Sequence, residues 1–189
     1  MAEEIAATAG QTPRDLEMAA LTKILQPLGY VIRPVPADGH CLYRAVAAQF
    51  SNEKSNSNAL TYQEMRTLCA DTLRQHADEF AAFCEYSDAI PDFDTYVAHV
   101  RSSAEWGGHL ELRVLARALH RVIHVYSTTT ASHGGNGNPL IIAEGEEIND
   151  DNNVRNKEPI RLSYHTQYYA LGEHYNEVVA IDTSQQHEP

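Results

Sequence analysis

The chain has 189 residues, enough for one domain with a sizeable core and too few for two. Fourteen basic against 26 acidic residues give a net charge of -12, which argues against a nucleic-acid backbone as the main partner and suits solubility or a protein partner with a basic face. No apolar run reaches the length of a membrane span, and Met1-Ala-Glu-Glu does not begin a basic-then-apolar secretory signal, so neither membrane nor export is expected.

Residues 1–11 are small and polar and are expected to fray. Thr12-Pro13-Arg14-Asp15 then reads as an N-cap, a proline at the first helical position and an acid in the first turn. Leu21, Ile24, Leu25 and Leu28 recur at helical spacing, and Gly29 fits the stop. Tyr30 to Val35 is a short extended segment. Asp38-Gly39-His40 is a turn that leads into a helical run from Cys41 to Phe50. Residues 51–58 read as an asparagine-rich loop, and Thr61 with Glu64 as a capping box. The helix it opens carries Met65, Leu68, Cys69, Thr72, Leu73 and His76 on one face, and a shorter helix follows around Phe93, Tyr96, Val97 and Val100.

Trp106-Gly107-Gly108 is a tight break before a helix from His109 to His120. Arg121 to Ser127 is β-branched and reads as a strand, and Leu140 to Ala143 as a short one, with loops at 128–138 and 144–157. Pro159 to Tyr164, Gln167 to Leu171 and Glu177 to Asp182 are three further strand candidates, and the tail beyond 183 is expected to be disordered. Helices in the first two-thirds and strands in the last third predict a single α+β domain over 12–183, with helices packed around a mixed sheet.

Cys41, Cys69 and Cys84 form an odd, unclustered set, neither a disulfide framework nor a zinc site. A reducing compartment is expected, cytoplasm or also nucleus. Cys41 lies where a loop enters a helix. Free N–H groups and the helix dipole there favour a thiolate and can hold a developing oxyanion, although a buried structural cysteine is the commoner fate of a thiol. Cys69 and Cys84 sit inside helical patterns and read as structural.

His174 differs from the other nine histidines in its neighbour. Residues i and i+2 of a strand point the same way, so Asn176 can present its oxygen to the imidazole, as the third member of a triad does. A polar turn before a strand is an equal reading of the same residues. His120 and His124 have a metal-like spacing but straddle a helix end and a strand start, and no acid completes a site. No G-x-S-x-G elbow is present, so a serine hydrolase is not supported. Tyr164, Tyr168, Tyr169 and Tyr175 cluster near His174, as packing or as a peptide groove.

At these residues the sequence resembles the ovarian-tumour (OTU) family of cysteine deubiquitinases. Asp38-Gly39-His40-Cys41-Leu42-Tyr43-Arg44 looks like the family's D-G-x-C-L-[FY]-R block. Trp106-Gly107-Gly108-His109-Leu110-Glu111-Leu112 resembles W-G-x-x-x-E-L, and His174-Tyr175-Asn176 resembles the closing H-Y-[ND]. The three blocks come in the family's order and span nearly the whole expected domain.

The resemblance implies an OTU-like cysteine protease fold and a deubiquitinase. Cys41 would attack the carbonyl after the ubiquitin C-terminus, His174 would act as base and then acid, Asn176 would orient His174, and Asp38 would shape the cysteine loop. Gly39, His40, Trp106, Gly107, Gly108 and His109 would lie along the channel that admits the ubiquitin Gly-Gly tail. The loop at 128–138 would face ubiquitin. No metal or organic cofactor is implied. Ubiquitin or polyubiquitin chains on proteins would be the partners of a monomeric enzyme. A closeness to the subgroup whose longer members carry a preceding helical segment and associate with ribosomes adds ribosomal proteins to that substrate class. Two other readings are a papain-like thiol hydrolase, whose C-G-[SA]-C-[WY] signature is absent, and a ubiquitin-binding module or hydrolase directed at a ubiquitin-like modifier.

Overall fold

The computed structural model describes residues 11–51, 60–129, 138–143, 157–169 and 172–182. The N-terminal stretch to residue 10, the tail from 183 and most of the three expected loops lie outside the described residues.

Helix α1 spans Pro13–Leu25. The Thr12 hydroxyl accepts from the Asp15 N–H and the Asp15 carboxylate accepts from the Thr12 N–H, so both ends of the expected cap are made. A single 3₁₀ turn ends at Gly29, whose φ of 78° stops the helix and turns the chain into β1, Tyr30–Arg33. Then come α2 (Cys41–Ser51), α3 (Tyr62–Gln75), α4 (Ala77–Phe80), α5 (Phe93–Ser102) and α6 (His109–Leu119). Strands β2 (Ile123–Tyr126), β3 (Leu140–Ile142), β4 (Ile160–Tyr169) and β5 (Gly172–Ala180) follow. The short α4 and the 3₁₀ turn behind it, Ala81–Phe83, are absent from the sequence reading, because so few residues show no periodicity.

The sheet order is β1-β5-β4-β2-β3, antiparallel except for the β2–β4 pair, so the mixed sheet is as expected. One face packs on α2 and, at the β3 edge, on α6, with α3 and α5 stacked behind them, and Leu42, Val46, Met65, Leu73, Leu115 and Ile160 belong to the core so formed. The other is covered by α1, whose Leu21 and Leu25 meet Tyr126 and Val178. The Gln49 side chain fixes α2 to the sheet. It donates to Glu177 Oε1 and to the Val178 carbonyl, both at 3.2 Å, and accepts from the Arg161 N–H.

The last third corrects the sequence reading in two places. The strand candidates at 159–164 and 167–171 belong to one strand, β4, with a register irregularity between His165 and Tyr169. The polar His165 and Thr166 break the apolar pattern, yet His165 is fully buried and Thr166 hydrogen-bonds Glu17 of α1. A polar partner from a distant helix makes polar residues acceptable inside a strand. In addition, β5 begins at Gly172, so His174 and Asn176 lie within the strand and not ahead of it.

Candidate active site

Cys41 is the first residue of α2, and its side chain is 6% exposed. The turn before it is built by Asp38. That carboxylate accepts from the His40 N–H at 3.2 Å and clasps the Arg44 guanidinium, with contacts of 3.0 Å from Nε and 2.5 Å from Nη2. The Arg44 hydrogen bonds hold the Asp38 pKa below the usual carboxylate value. Gly39 has a φ of 79°, and a Cβ there would lie 2.0 Å from the Ala104 carbonyl oxygen. The glycine is therefore required both by its conformation and by the close approach of a second loop.

That second loop contains Trp106-Gly107-Gly108. A Cβ on Gly107 would lie 2.6 Å from a Leu42 methyl, so the loop rests directly on the first turn of α2. Glu111 caps α6 by accepting from the Gly108 N–H at 2.7 Å and also takes the Tyr96 hydroxyl at 2.5 Å. The W-G-x-x-x-E-L block is thus a glycine fitted to α2 followed by a helix cap. Trp106 and His109 are exposed, and both line an open cavity of about 680 Å³ together with Gly108, Glu105 and Glu173.

Sequence reasoning missed the residue that joins the two loops. Arg66 of α3 is 2% exposed. It donates to the carbonyls of Gly39 (3.1 Å), Val100 (2.8 Å) and Glu105 (2.5 Å) and to His40 Nδ1 (3.0 Å), and it stacks over the Tyr43 ring. The signal was available: Arg66 lies beside Met65 and shares the face of Cys69 and Leu73, so a cation stands on the apolar stripe of α3. His40, held by Arg66 and stacked on Tyr62, is bound into the loop from inside.

On β5 the expected pair is formed. His174 Nε2 lies 3.0 Å from Asn176 Oδ1, with both side chains buried. The Val35 N–H donates to the same Oδ1 at 3.0 Å. A backbone N–H can only donate, so it fixes which amide atom faces His174. The acceptor Oδ1 then requires a proton on Nε2, which leaves Nδ1 as the basic nitrogen of the neutral ring.

The structure brings Cys41 against β5. The backbone of Tyr175, next to His174, hydrogen-bonds the thiol, and Leu42 and Cys41 add backbone N–H groups of their own. Burial nevertheless dominates and pushes the thiol pKa up, against the sequence expectation that the helix terminus favours a thiolate. Burial likewise pushes His174 down, opposed by its bonding to Asn176 and to the Val35 backbone. Both shifts favour the neutral forms of the thiol and the imidazole.

Asn176 has a further neighbour: its Nδ2 lies 3.2 Å from His165 Nε2, an atom also 2.9 Å from Ser163 Oγ. Among the described residues no group of three or more His, Cys, Asp or Glu is arranged to hold a metal ion, and no helix is long and apolar enough to cross a membrane.

Residues 36–175 match the family model of the OTU-like cysteine proteases. The chain is 36% identical over 176 residues to Deubiquitinase OTUD6B of Xenopus laevis, covering 90% of this chain and 53% of that one. It thus spans about half the length of the curated relatives it matches. Among solved structures it is similar to the OTU domain of OTUD1, with a TM-score of 0.61, 22% identity, and coverage of 86% of this chain and 94% of that one. It is also similar to an OTU deubiquitinase from Wolbachia pipientis wMel bound to ubiquitin, with a TM-score of 0.53, 14% identity, and coverage of 82% and 99%. At these identities the two structures speak to the fold.

Proposed function

Because the chain belongs to the OTU-like cysteine protease family, we propose that it is a deubiquitinase, hydrolysing the bond between the C-terminal glycine of ubiquitin and a lysine amine. The observation that carries this reading is the buried His174 Nε2–Asn176 Oδ1 contact at 3.0 Å, on the strand whose Tyr175 backbone meets the Cys41 thiol.

In this mechanism His174 Nδ1 takes the Cys41 proton as sulfur attacks the isopeptide carbonyl. The N–H groups at the start of α2 receive the oxyanion. The proton then passes from His174 to the lysine amine, which leaves, and ubiquitin remains as a thioester on Cys41. Water, deprotonated by His174, attacks the thioester and restores the thiol. Asn176 holds the imidazole throughout. Asp38 acts one step back, setting the turn before Cys41 through His40 and Arg44.

Trp106, Gly108 and His109, which line the cavity together with Glu173, are assigned to the approach for a Gly-Gly tail. Gly39, His40 and Gly107 are assigned to the same channel from the family's motifs; the two glycines are packed on Ala104 and Leu42. The substrate class is ubiquitin or polyubiquitin on cellular proteins, ribosomal proteins among them.

The test is a ubiquitin probe with an electrophilic C-terminus. Labelling is expected, and Cys41→Ala abolishes it. Cys69→Ala and Cys84→Ala leave it intact, since Cys69 is fully buried with a thiol pKa far above normal and burial raises Cys84 to about 11. Absence of labelling, or labelling that survives Cys41→Ala, rejects the reading.

A further inference from the structure

We propose that His165 is a positioning residue for the reaction: it sets the amide of Asn176, and thereby the tautomer of His174, with the carboxylate of Glu17 from the N-terminal helix α1 facing its other nitrogen. The proposal rests on the role of His174 given above.

The argument follows donors and acceptors along one buried line. The Val35 N–H assigns Asn176 Oδ1, so Nδ2 faces His165 Nε2 at 3.2 Å. An amide N–H only donates, and His165 Nε2 must therefore present a lone pair. The Ser163 hydroxyl lies 2.9 Å from the same nitrogen and, being able to donate, is compatible with that lone pair. The His165 proton is then on Nδ1, which lies 3.8 Å from Glu17 Oε2. The reverse tautomer would set Nε2–H against an amide N–H at a place where Ser163, His165 and Asn176 are all closed to bulk solvent.

Burial lowers the His165 pKa to about 4, so the ring is neutral where the protein works and one tautomer must be chosen. Glu17 cannot swing away. Although only 7% exposed, its carboxylate accepts from the Thr166 N–H (2.8 Å), the Thr166 hydroxyl (2.9 Å) and the Gln167 N–H (2.9 Å).

The line is placed by the sheet. Ser163 pairs with Asn176 and His165 with His174 across the β4–β5 register, so all four side chains share the face that α1 covers. The two hydrogen-bonded steps have one consistent direction, His165 accepting from Asn176 and Asn176 from His174, while Glu17 faces the Nδ1 side of His165 as a carboxylate 3.8 Å away. Glu17 lies outside residues 36–175, the part of the chain that matches the family model. The N-terminal helix of this chain thus brings a carboxylate, fixed by Thr166 and Gln167, to the far side of His165.

The first test needs neither variant nor activity. Imidazole ¹⁵N–¹H correlation spectra of the whole protein should show His165 as the Nδ1–H tautomer and His174 as the Nε2–H tautomer at neutral pH. His165 protonated on Nε2 overturns the proposal. The second test is kinetic. His165→Leu removes the acceptor and should lower kcat by about 10- to 100-fold with KM unchanged, the range that supporting groups of a reacting histidine command at metal sites. His165→Gln, which restores an acceptor, should recover part of the loss.

In an Asn176→Ala background His165→Leu should cost nothing further, because its effect passes through Asn176. A merely structural His165 would instead lower the rate equally in both backgrounds, and that result rejects the proposal. If the wild-type protein fails to cleave ubiquitin but shows both tautomers, the functional reading fails and the positioning line stands.

Discussion

Arg66 Nη2 donates to the carbonyl oxygen of Gly39 at 3.1 Å, two residues before the proposed nucleophile and 27 residues from the arginine in sequence. The same guanidinium reaches Glu105 and Val100, so one buried cation ties the turn before Cys41 to the loop that carries Trp106. All four of its hydrogen-bond acceptors are uncharged groups, and only a planar fork of five donors can meet them together.

Arg66→Lys is therefore not conservative. A compact ammonium leaves at least two acceptors unpaired, at a cost of about 2 kcal/mol or more. Thermal unfolding should show the midpoint falling by about 4 to 8 °C, as expected for a domain of this size. Probe labelling should slow even below that midpoint, because the Gly39 turn loosens. An unchanged melting curve would show that solvent or a neighbour replaces the arginine.

Two glycines with nearly the same φ should respond differently to alanine. Gly29, at 78°, has nothing within 4 Å of its would-be Cβ, so Gly29→Ala pays only the left-handed backbone strain, about 1 kcal/mol. Gly39, at 79°, adds a 2.0 Å collision with the Ala104 backbone, and Gly39→Ala should lose more than about 3 kcal/mol and most of the activity. Denaturant midpoints of the two variants give the comparison, and equal losses would contradict it.

The pH profile follows from the two buried groups. Protonation of His174 stops the reaction, and burial lowers its pKa, so the acid limb should fall below the ordinary histidine value of about 6.5. Burial raises the Cys41 pKa, so the alkaline limb should fall above the ordinary thiol value of about 8.5. Both limbs are macroscopic values of the pair. Bonding to Asn176 stabilises the imidazolium, and its removal in Asn176→Ala should move the acid limb to still lower pH while reducing the plateau rate. An alkaline limb below about 8.5 would indicate a resting thiolate–imidazolium pair instead.

Glu111→Ala removes the cap of α6 and leaves the Tyr96 hydroxyl without its acceptor. A loss of about 2 to 3 kcal/mol is expected, the sum of a cap and a charged hydrogen bond. Urea unfolding measures it. Glu111→Gln, which keeps an acceptor oxygen for the cap, should lose less.

The features legible in the sequence are those set by residues close along the chain. The caps at Thr12 and Thr61 are i, i+3 pairs, and both are present. Cys41 at a loop-to-helix junction follows from the turn residues before it. His174 and Asn176 share a face because a strand repeats every two residues, and their contact at 3.0 Å needs no other element.

Everything that depends on a distant partner was decided by the tertiary structure. Arg66 is a polar interruption of an apolar stripe until Gly39, Val100 and Glu105 surround it. His165 and Thr166 look like a break between two strands until Glu17, about 150 residues earlier, accepts from Thr166, and Asn176 of β5 with Ser163 meets the His165 ring. The balance of effects on the Cys41 thiol likewise depends on packing. A helix terminus is a local feature that lowers a thiol pKa, whereas burial, which raises it further than the terminus lowers it, exists only once α2 is packed against β5.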